Sequence, residues 1–310
     1  MKHALQIMAV SGLLAWGPAG NAQNLSLPDY MGRPESDVVM PLTIDDASGL
    51  AGIRIAVNFD PSILELETVQ RGPLGSLYDL VWQQEDGVLN LFLAREDALV
   101  SGSGRLVCLK FRVNAGAETN LYSDLTIADF ELSDESGVVA LDRQTAATSR
   151  RGRLTVTDSS RIDNAGNGLP DEWELAVGLD PFEATADGDP DLDGLPNAQE
   201  EQLGLNPTKA DTDGDGVDDR AELIAGTDGN NNDDYLALDM ELQGEETGPA
   251  VFRWRSVTGR VYSILFSTNL MVPWPSVPWR VVVGDGTDKS FTNESEEEPF
   301  GYFRLKVEEE

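Results

Sequence analysis

One carboxylate template occurs three times along the chain in the same frame, beginning at Asp163, Asp189 and Asp211. In every frame, oxygen-bearing side chains stand at positions one, five and nine, a glycine stands sixth and a glutamate stands twelfth, and two of the frames also have an aspartate at position three. This is the spacing by which a twelve-residue loop wraps a calcium ion, with a backbone carbonyl at position seven and a bidentate glutamate at the end. The sequence therefore predicts three calcium loops as its strongest structural constraint.

The predicted Ca2+ ligands follow from the frame. In loop one, residues 163–174, they are Asp163, Asn167, Leu169, Asp171 and Glu174. In loop two, residues 189–200, they are Asp189, Asp191, Asp193, Leu195, Asn197 and Glu200. In loop three, residues 211–222, they are Asp211, Asp213, Asp215, Val217, Asp219 and Glu222. The seventh residue would offer its backbone carbonyl while its aliphatic side chain enters a small core. Loop one should bind most weakly, because Ala165 removes one ligand and Asn167 offers only a neutral oxygen.

A short helix is predicted after each loop, over residues 172–177, 198–203 and 220–225. A glycine stands four residues after each terminal glutamate, at Gly178, Gly204 and Gly226. Such a glycine closes a helix in the left-handed conformation. The repeated unit is therefore loop, helix and turn. A fourth start at Asp228 has Asp233 in place of the sixth-position glycine, which indicates a terminal cap or a partial site.

The alternative for this segment is an acidic, disordered linker. Residues 163–234 hold 21 Asp or Glu and only two basic residues, Lys209 and Arg220. A random acidic tract, however, has no reason to repeat glycine, an aliphatic residue and glutamate in one frame three times. Both interpretations agree that the segment should be expanded without cations and should collapse when divalent ions neutralise it.

The beginning of the chain predicts export. Lys2 and His3 precede an apolar run over residues 4–16, and small residues follow near residue 22. This pattern is typical of a secretory signal peptide over residues 1–22. A membrane helix is the alternative, but thirteen apolar residues are too few for a bilayer core that needs ~20. We therefore expect a secreted protein, extracellular or at the cell surface, without a membrane span after cleavage.

Composition limits the chemistry of the chain. His3 is the only histidine, so the mature chain would lack an imidazole base for a serine or cysteine nucleophile. Cys108 is the lone thiol, and its apolar surroundings indicate a core residue rather than a zinc ligand. The formal net charge of −33 argues against nucleic acid and anionic membranes as partners.

Residues 25–157 show the pattern of a β-sandwich. Strands with period-two alternation are predicted over residues 38–44, 53–59, 63–67, 80–82, 88–94, 106–113, 125–132 and 153–156. In the second of these, Ile53, Ile55, Val57 and Phe59 share one face while Arg54 lies on the other, as in a sheet packed on one side. Turns every eight to twelve residues favour a sandwich.

Three segments of this module carry a family resemblance: residues 39–42, residues 55–61 followed by Leu64, and residues 104–113. The most specific piece is the hydrophobic strand that ends in Phe59-Asp60-Pro61. The module resembles the cohesin family. That resemblance implies a jelly-roll sandwich that binds the dockerin module of another protein through one sheet face. Relatives of cohesins include carbohydrate-binding modules.

The calcium segment, residues 158–234, invites comparison with dockerins, which would place receptor and ligand in one chain. Dockerins, however, pair two near-identical loops that end in aspartate and commonly carry hydroxyl residues at positions ten and eleven. Here those positions hold no hydroxyl residue, and each loop ends in glutamate. The run over residues 211–216 looks more like the thrombospondin type 3 repeats. That resemblance implies EF-hand-like calcium loops that act as a stiff connector.

Residues 235–310 return to strands, predicted over residues 236–242, 251–254, 261–266, 279–283, 290–292 and 302–307. The aromatic-rich runs over residues 252–256 and 302–305 resemble a small β-sandwich module at the ends of exported bacterial proteins. Trp254 and Tyr262 are predicted core residues. Trp274 and Trp279 lie among prolines and could present rings to a sugar or a partner.

The predicted fold class is therefore mainly β: a cohesin-like jelly roll, a calcium-loop connector with short helices and a small C-terminal sandwich. The function predicted first is a secreted, non-catalytic scaffold or adhesion protein whose partner is a protein with a dockerin-like module. The alternative is polysaccharide binding through Trp82, Trp274 and Trp279, linked to polysaccharide degradation. A glycosidase needs two carboxylates, but no lone acidic residue stands out in an aromatic cleft-like pattern, so an enzyme is not predicted.

Overall fold

The computed structural model of the chain describes residues 23–99, 101–135, 139–141, 151–242, 250–293 and 301–309. The predicted signal peptide over residues 1–22 lies outside the described residues. Clustering of contacts divides the chain into two compact units, Met1–Asn164 and Ala165–Glu310. None of the helices in the described part is long and apolar enough to cross a bilayer.

The first unit is built from strands in two sheets. The strands are β1 (Leu25–Ser26), β2 (Tyr30–Gly32), β3 (Asp37–Ile44), β4 (Gly52–Asn58), β5 (Leu64–Arg71), β6 (Asp79–Glu85), β7 (Val88–Ala94), β8 (Gly104–Val113), β9 (Tyr122–Ser133), β10 (Val139–Leu141) and β11 (Gly152–Val156). The smaller sheet has the order β1-β3-β8-β5, and the larger sheet has the order β2-β11-β9-β4-β7-β6 with β10 paired to β9. Neighbouring strands are antiparallel except for the parallel pair β2 and β11.

Strand β4 shows how alternation places the core. Ile53, Ile55 and Val57 are buried, whereas Arg54 lies on the outer face of the larger sheet. Because successive side chains of a strand point to opposite faces, the apolar set all packs inward. The predicted division of this strand into two faces is confirmed.

Phe111 lies at the centre of the first unit. It is completely buried on β8, and its ring meets the ring of Phe59 edge to face with centroids 5.2 Å apart. Cys108 on the same strand is buried, as its apolar context predicted. The hydroxyl of the buried Tyr78 donates to the carbonyl of Leu50 at 3.2 Å, which satisfies its one polar group.

The second unit begins with three helices of seven residues and continues in strands. The elements are α1 (Asp171–Val177), α2 (Asn197–Leu203), α3 (Asp219–Ala225), β12 (Asp239–Leu242), β13 (Ala250–Arg255), β14 (Arg260–Ser267), β15 (Arg280–Val283), β16 (Asp288–Asn293) and β17 (Tyr302–Glu309). Each helix ends at a left-handed glycine, with φ of 84°, 74° and 79° at Gly178, Gly204 and Gly226. The glycine spacing therefore predicted the ends of all three helices.

The strands of the second unit form two three-stranded sheets, ordered β12-β13-β16 and β15-β14-β17. Both sheets contribute to one aromatic core around Phe252, Trp254, Tyr262 and Phe291. The rings of Phe252 and Phe291 stack at 4.6 Å on neighbouring strands. Trp254 and Tyr262 are core residues, as predicted, and the fold is mainly β with short helices.

Candidate functional site

The carboxylates at positions one, three and five converge in loops two and three. The carboxylate oxygens of Asp189, Asp191 and Asp193 lie within 4.8 Å of one another. In loop three the corresponding oxygens at residues 211, 213 and 215 are equally close. The alternate spacing thus brings three anionic groups close together in each of these loops.

Backbone amides fix the shape of these loops. In loop two, Asp189 accepts hydrogen bonds from the N–H groups of Leu192 at 2.8 Å and Gly194 at 3.1 Å. Asp193 Oδ1 accepts from the N–H of Leu195 at 2.7 Å. Loop three repeats all three bonds at equivalent positions. In each of these loops, backbone amides two to five residues ahead therefore hold the carboxylates at positions one and five.

The terminal glutamates are buried beside these clusters. Glu200 is 0% exposed and Glu222 is 1% exposed. In loops two and three, the side-chain oxygens that are buried without a hydrogen-bond partner are both of Glu200, one each of Glu222, Asp191 and Asp213, and Oδ1 of Asn197. An unpaired buried carboxylate costs several kcal/mol. Clustered hard oxygen ligands that lack donors are the donor set that a calcium ion fits.

The pKa values of the two glutamates are also raised by this excess of buried negative charge. Burial, followed by the charges of Asp191 and Asp193, raises the pKa of Glu200 to about 8. Burial, followed by Asp213 and its neighbours, raises the pKa of Glu222 to about 7. A cation among these oxygens would offset both the desolvation and the repulsion.

Loop one is arranged differently around its glutamate. Asn167 Oδ1 accepts from the N–H of Leu169 at 2.9 Å, just as position five does in the other loops. Its Nδ2 donates to Glu174 Oε1 at 2.7 Å, and to the carbonyls of Pro181 at 3.0 Å and Ala184 at 3.2 Å. A side-chain amide thus donates to the glutamate of loop one, whereas both oxygens of Glu200 lack a hydrogen-bond partner and Glu222 Oε1 accepts from the hydroxyl of Thr227 at 3.3 Å.

The predicted ligands at positions seven and nine differ in how deeply they are buried. At position seven, Leu169 and Leu195 are buried, while Val217 is partly exposed. At position nine, Asp171, Asn197 and Asp219 are all buried. Asp219 accepts from both the N–H and the hydroxyl of Thr212, at 2.8 and 2.7 Å, and so closes loop three from within.

Arg220 joins the helix of the third repeat to loop two. Its backbone N–H donates to Asp193 Oδ2 at 3.3 Å, and its guanidinium donates to the carbonyl of Gly194 at 2.8 Å. In the sequence, Arg220 stands out only as one of two basic residues in an acidic tract. Its guanidinium meets the backbone of loop two through a contact between residues 26 positions apart, which no local sequence pattern indicates.

Position four of each loop has a left-handed backbone. Gly166 and Gly214 fill it in loops one and three with φ of 73° and 83°, but loop two has Leu192 with φ of 66° and a side chain 84% exposed. A left-handed conformation costs an L-residue about 1–2 kcal/mol, and glycine avoids that cost. Part of the gain is offset, because glycine makes the unfolded chain more flexible and so increases the entropy lost on folding.

We therefore expect Leu192→Gly to raise the free energy of unfolding by about 0.5–1 kcal/mol, measured by urea denaturation in calcium. Leu270→Gly is the control, since Leu270 is an exposed leucine without positive φ. A loss of stability in Leu192→Gly would contradict the prediction.

A second candidate site lies on the outer face of the larger sheet in the first unit. Strand pairing aligns Val81, Phe92, Arg54 and Glu131 in one row across β6, β7, β4 and β9. Val81 is 65% exposed and Phe92 is 37% exposed. Arg54 forms ion pairs with Glu131 at 3.2 Å and Asp129 at 3.5 Å. An exposed aromatic beside charged groups is the composition of a protein-binding surface.

The smaller sheet presents a different surface. Lys110 Nζ lies 2.7 Å from Asp37 and 2.8 Å from Glu67, and Arg112 lies 3.1 Å from Asp37. The paired carboxylates raise the pKa of Lys110. No large hydrophobic side chain is exposed on the described strands β1, β3, β8 and β5, so the smaller sheet offers less apolar surface to a partner than the row around Phe92.

The tryptophans proposed for sugar binding belong to two different units. Trp82 lies in the first unit and is partly exposed, whereas Trp274 and Trp279 lie in the second. The ring of Trp279 packs edge to face on Phe291 at 5.4 Å, and the Arg280 guanidinium lies 5.6 Å from its centroid. Part of the Trp279 ring therefore contacts residues of its own module.

Comparison with known proteins identifies the first unit. Residues 24–150 match the model of the cohesin domain family. The N-terminal part of the chain is therefore a cohesin domain, as its strand patterns and the Phe59-Asp60-Pro61 segment predicted. No curated protein matches the chain.

Solved structures of cohesins are similar to the same part. A non-cellulosomal cohesin from the hyperthermophilic archaeon Archaeoglobus fulgidus is 22% identical, covering 45% of this chain and 94% of its own, with a TM-score of 0.39. The sixth cohesin of scaffoldin B from Acetivibrio cellulolyticus, solved in complex with a dockerin, is 19% identical, covering 44% and 99%, with a TM-score of 0.38. The cohesin CaCohA2 from Clostridium acetobutylicum is 23% identical, covering 46% and 95%, with a TM-score of 0.37.

Proposed function

We propose that the protein is a non-catalytic binding scaffold, exported from the cell, whose cohesin domain holds a partner protein. The cohesin match over residues 24–150 is the observation that carries this proposal. Cohesins are binding modules, and the partner class is a dockerin-type module on a second protein. The apolar run over residues 4–16 supports export, although it lies outside the described residues.

The outer face of the larger sheet is the proposed docking surface. It combines exposed Val81 and Phe92 with the charges of Arg54, Asp129 and Glu131. Aromatic and arginine side chains dominate the binding energy of protein interfaces. The charges around them would orient the partner, and the apolar side chains would supply most of the affinity.

Calcium binding by loops two and three completes the proposal. Asp189, Asp191, Asp193 and Glu200 would hold one ion, and the equivalent residues of loop three would hold the other. In this proposal the ion has a structural role: its positive charge would neutralise the carboxylates, and the chain would provide the oxygen ligands. At the calcium concentrations found outside cells, sites with dissociation constants of ~0.1–1 mM would be filled. The ions would stabilise a charged segment that has few apolar side chains to bury.

We expect Phe92→Ala to weaken binding of a dockerin module about tenfold, since loss of a central aromatic typically costs more than 1 kcal/mol. The test is biolayer interferometry of the full chain against dockerin modules from exported proteins of the same organism. Arg112→Ala is the control on the smaller sheet and should leave the dissociation constant within twofold of the original.

Two outcomes would contradict the proposal. If no dockerin module binds while the full chain retains a polysaccharide from a panel, the alternative function predicted from the sequence would replace it. If Arg112→Ala weakens binding and Phe92→Ala does not, the partner binds the smaller sheet and the docking surface is wrong.

A further inference from the structure

Loop one differs from the other two loops in the atom that faces its glutamate. Position five performs the same backbone task in all three loops, because an oxygen of Asn167, Asp193 or Asp215 accepts the N–H two residues ahead. The second terminal atom of position five is a carboxylate oxygen in loops two and three. In loop one it is an NH2 group, which donates to Glu174 Oε1 at 2.7 Å.

The orientation of the Asn167 amide is fixed by its surroundings. If the amide were turned over, its NH2 group would face the N–H of Leu169, donor against donor. Its oxygen would then face Glu174 Oε1 and the carbonyls of Pro181 and Ala184, acceptor against acceptor. Every neighbour therefore favours the NH2 group towards the glutamate.

Ala165 supports the same conclusion. In loops two and three, position three supplies a carboxylate with one buried oxygen that lacks a hydrogen-bond partner, at Asp191 and Asp213. Ala165 supplies no oxygen there. Loop one thus lacks the third-position anion and has a hydrogen-bond donor where a cation would need an acceptor.

We infer that the Asn167 amide takes the place of the cation in loop one, so that the chain binds two calcium ions and its first repeat folds without metal. This inference rests on the proposed calcium sites of loops two and three and adds to them the number and location of the ions. A repeat closed by an amide keeps its structure when calcium is scarce, while its two neighbours depend on the ion.

Native mass spectrometry and calorimetric titration of the full chain with Ca2+ test the stoichiometry. We expect two ions for the unaltered chain. Glu174→Gln should still bind two, whereas the matched substitutions Glu200→Gln and Glu222→Gln should each bind one. The double variant Ala165→Asp/Asn167→Asp restores the template and should bind three. Three ions in the unaltered chain, or loss of an ion in Glu174→Gln, would overturn the inference.

The melting temperature in the presence of a chelator provides a second, independent readout. Asn167→Leu should lower it by about 4 °C, and by the same amount in calcium, because the amide acts without metal. A melting temperature unchanged by Asn167→Leu in chelator would overturn the inference. If the unaltered chain binds no ion at all, the proposed calcium sites are wrong, and this second readout alone decides the role of Asn167.

Discussion

Removal of calcium is expected to lower the free energy of unfolding of residues 165–310 by about 5 kcal/mol. Each of two ions at 100-fold excess over its dissociation constant contributes roughly 2.7 kcal/mol. The physical reason is the buried charge in loops two and three, where Glu200 and Glu222 are buried and the charges of neighbouring aspartates act on both. Without a cation, the repulsion and the desolvation are uncompensated. Such a loss is large against a typical domain stability of ~5–15 kcal/mol.

The loss should extend beyond the loops into the C-terminal strands. Arg260 on β14 donates to the carbonyl of Ile224 at 2.8 Å and to that of Leu223 at 3.4 Å, at the end of α3. A guanidinium at a helix C-terminus satisfies carbonyls that have no partner within the helix. If loop three opens, α3 loses its anchor and Arg260 loses these acceptors.

Hydrogen exchange at increasing urea concentrations, with and without chelator, measures both effects on peptides of each unit. Peptides of residues 189–242 and 250–293 should exchange at lower urea in chelator, and those of residues 23–99 should not change. The double variant Glu200→Gln/Glu222→Gln is the control, because it should make the two conditions alike. Identical curves for the unaltered chain with and without chelator would refute the calcium sites.

Phe111→Ala is expected to lower the free energy of unfolding of the cohesin domain by about 3–5 kcal/mol. Phe111 is completely buried and meets Phe59 edge to face. Truncation removes the apolar area of a whole ring and leaves a cavity that the paired strands β3, β8 and β5 cannot fully close. The midpoint of urea unfolding should shift without a change in its slope.

Phe92→Ala is the matched control for this substitution. Phe92 is also an aromatic residue of a central strand, but it lies on the outer face and is partly exposed. Its truncation should change stability by less than about 1 kcal/mol, even though it is predicted to weaken partner binding. Equal losses from the two substitutions would show that the inner and outer faces are assigned incorrectly.

Much of the fold could be predicted from local pattern. Each predicted strand overlaps an observed strand, and the three predicted helices begin within one residue of the observed ones. Strands β1, β2 and β10 were not predicted. They have two or three residues each, which is too short for period-two alternation to be recognised.

The candidate metal centre likewise has features that the sequence predicts and features that it does not. The convergence of Asp189, Asp191 and Asp193 follows from their spacing, since one loop and its own backbone amides bring them together. The contact of Arg220 with loop two could not be predicted, because it joins residues 26 or more positions apart. Nor could the sequence show which atom of Asn167 would face Glu174.

The sequence by itself determined the strand alternation, the loop template and the glycine-closed helices, because each depends on residues within about one turn or one strand of each other. Tertiary structure decided which strands pair, which face of the larger sheet leaves Phe92 exposed, and which of three similar loops closes on an amide. These features depend on where donors, acceptors and apolar surfaces meet after the chain has folded. Pairing of groups distant in sequence is fixed by the packing of whole elements, and no local pattern specifies it.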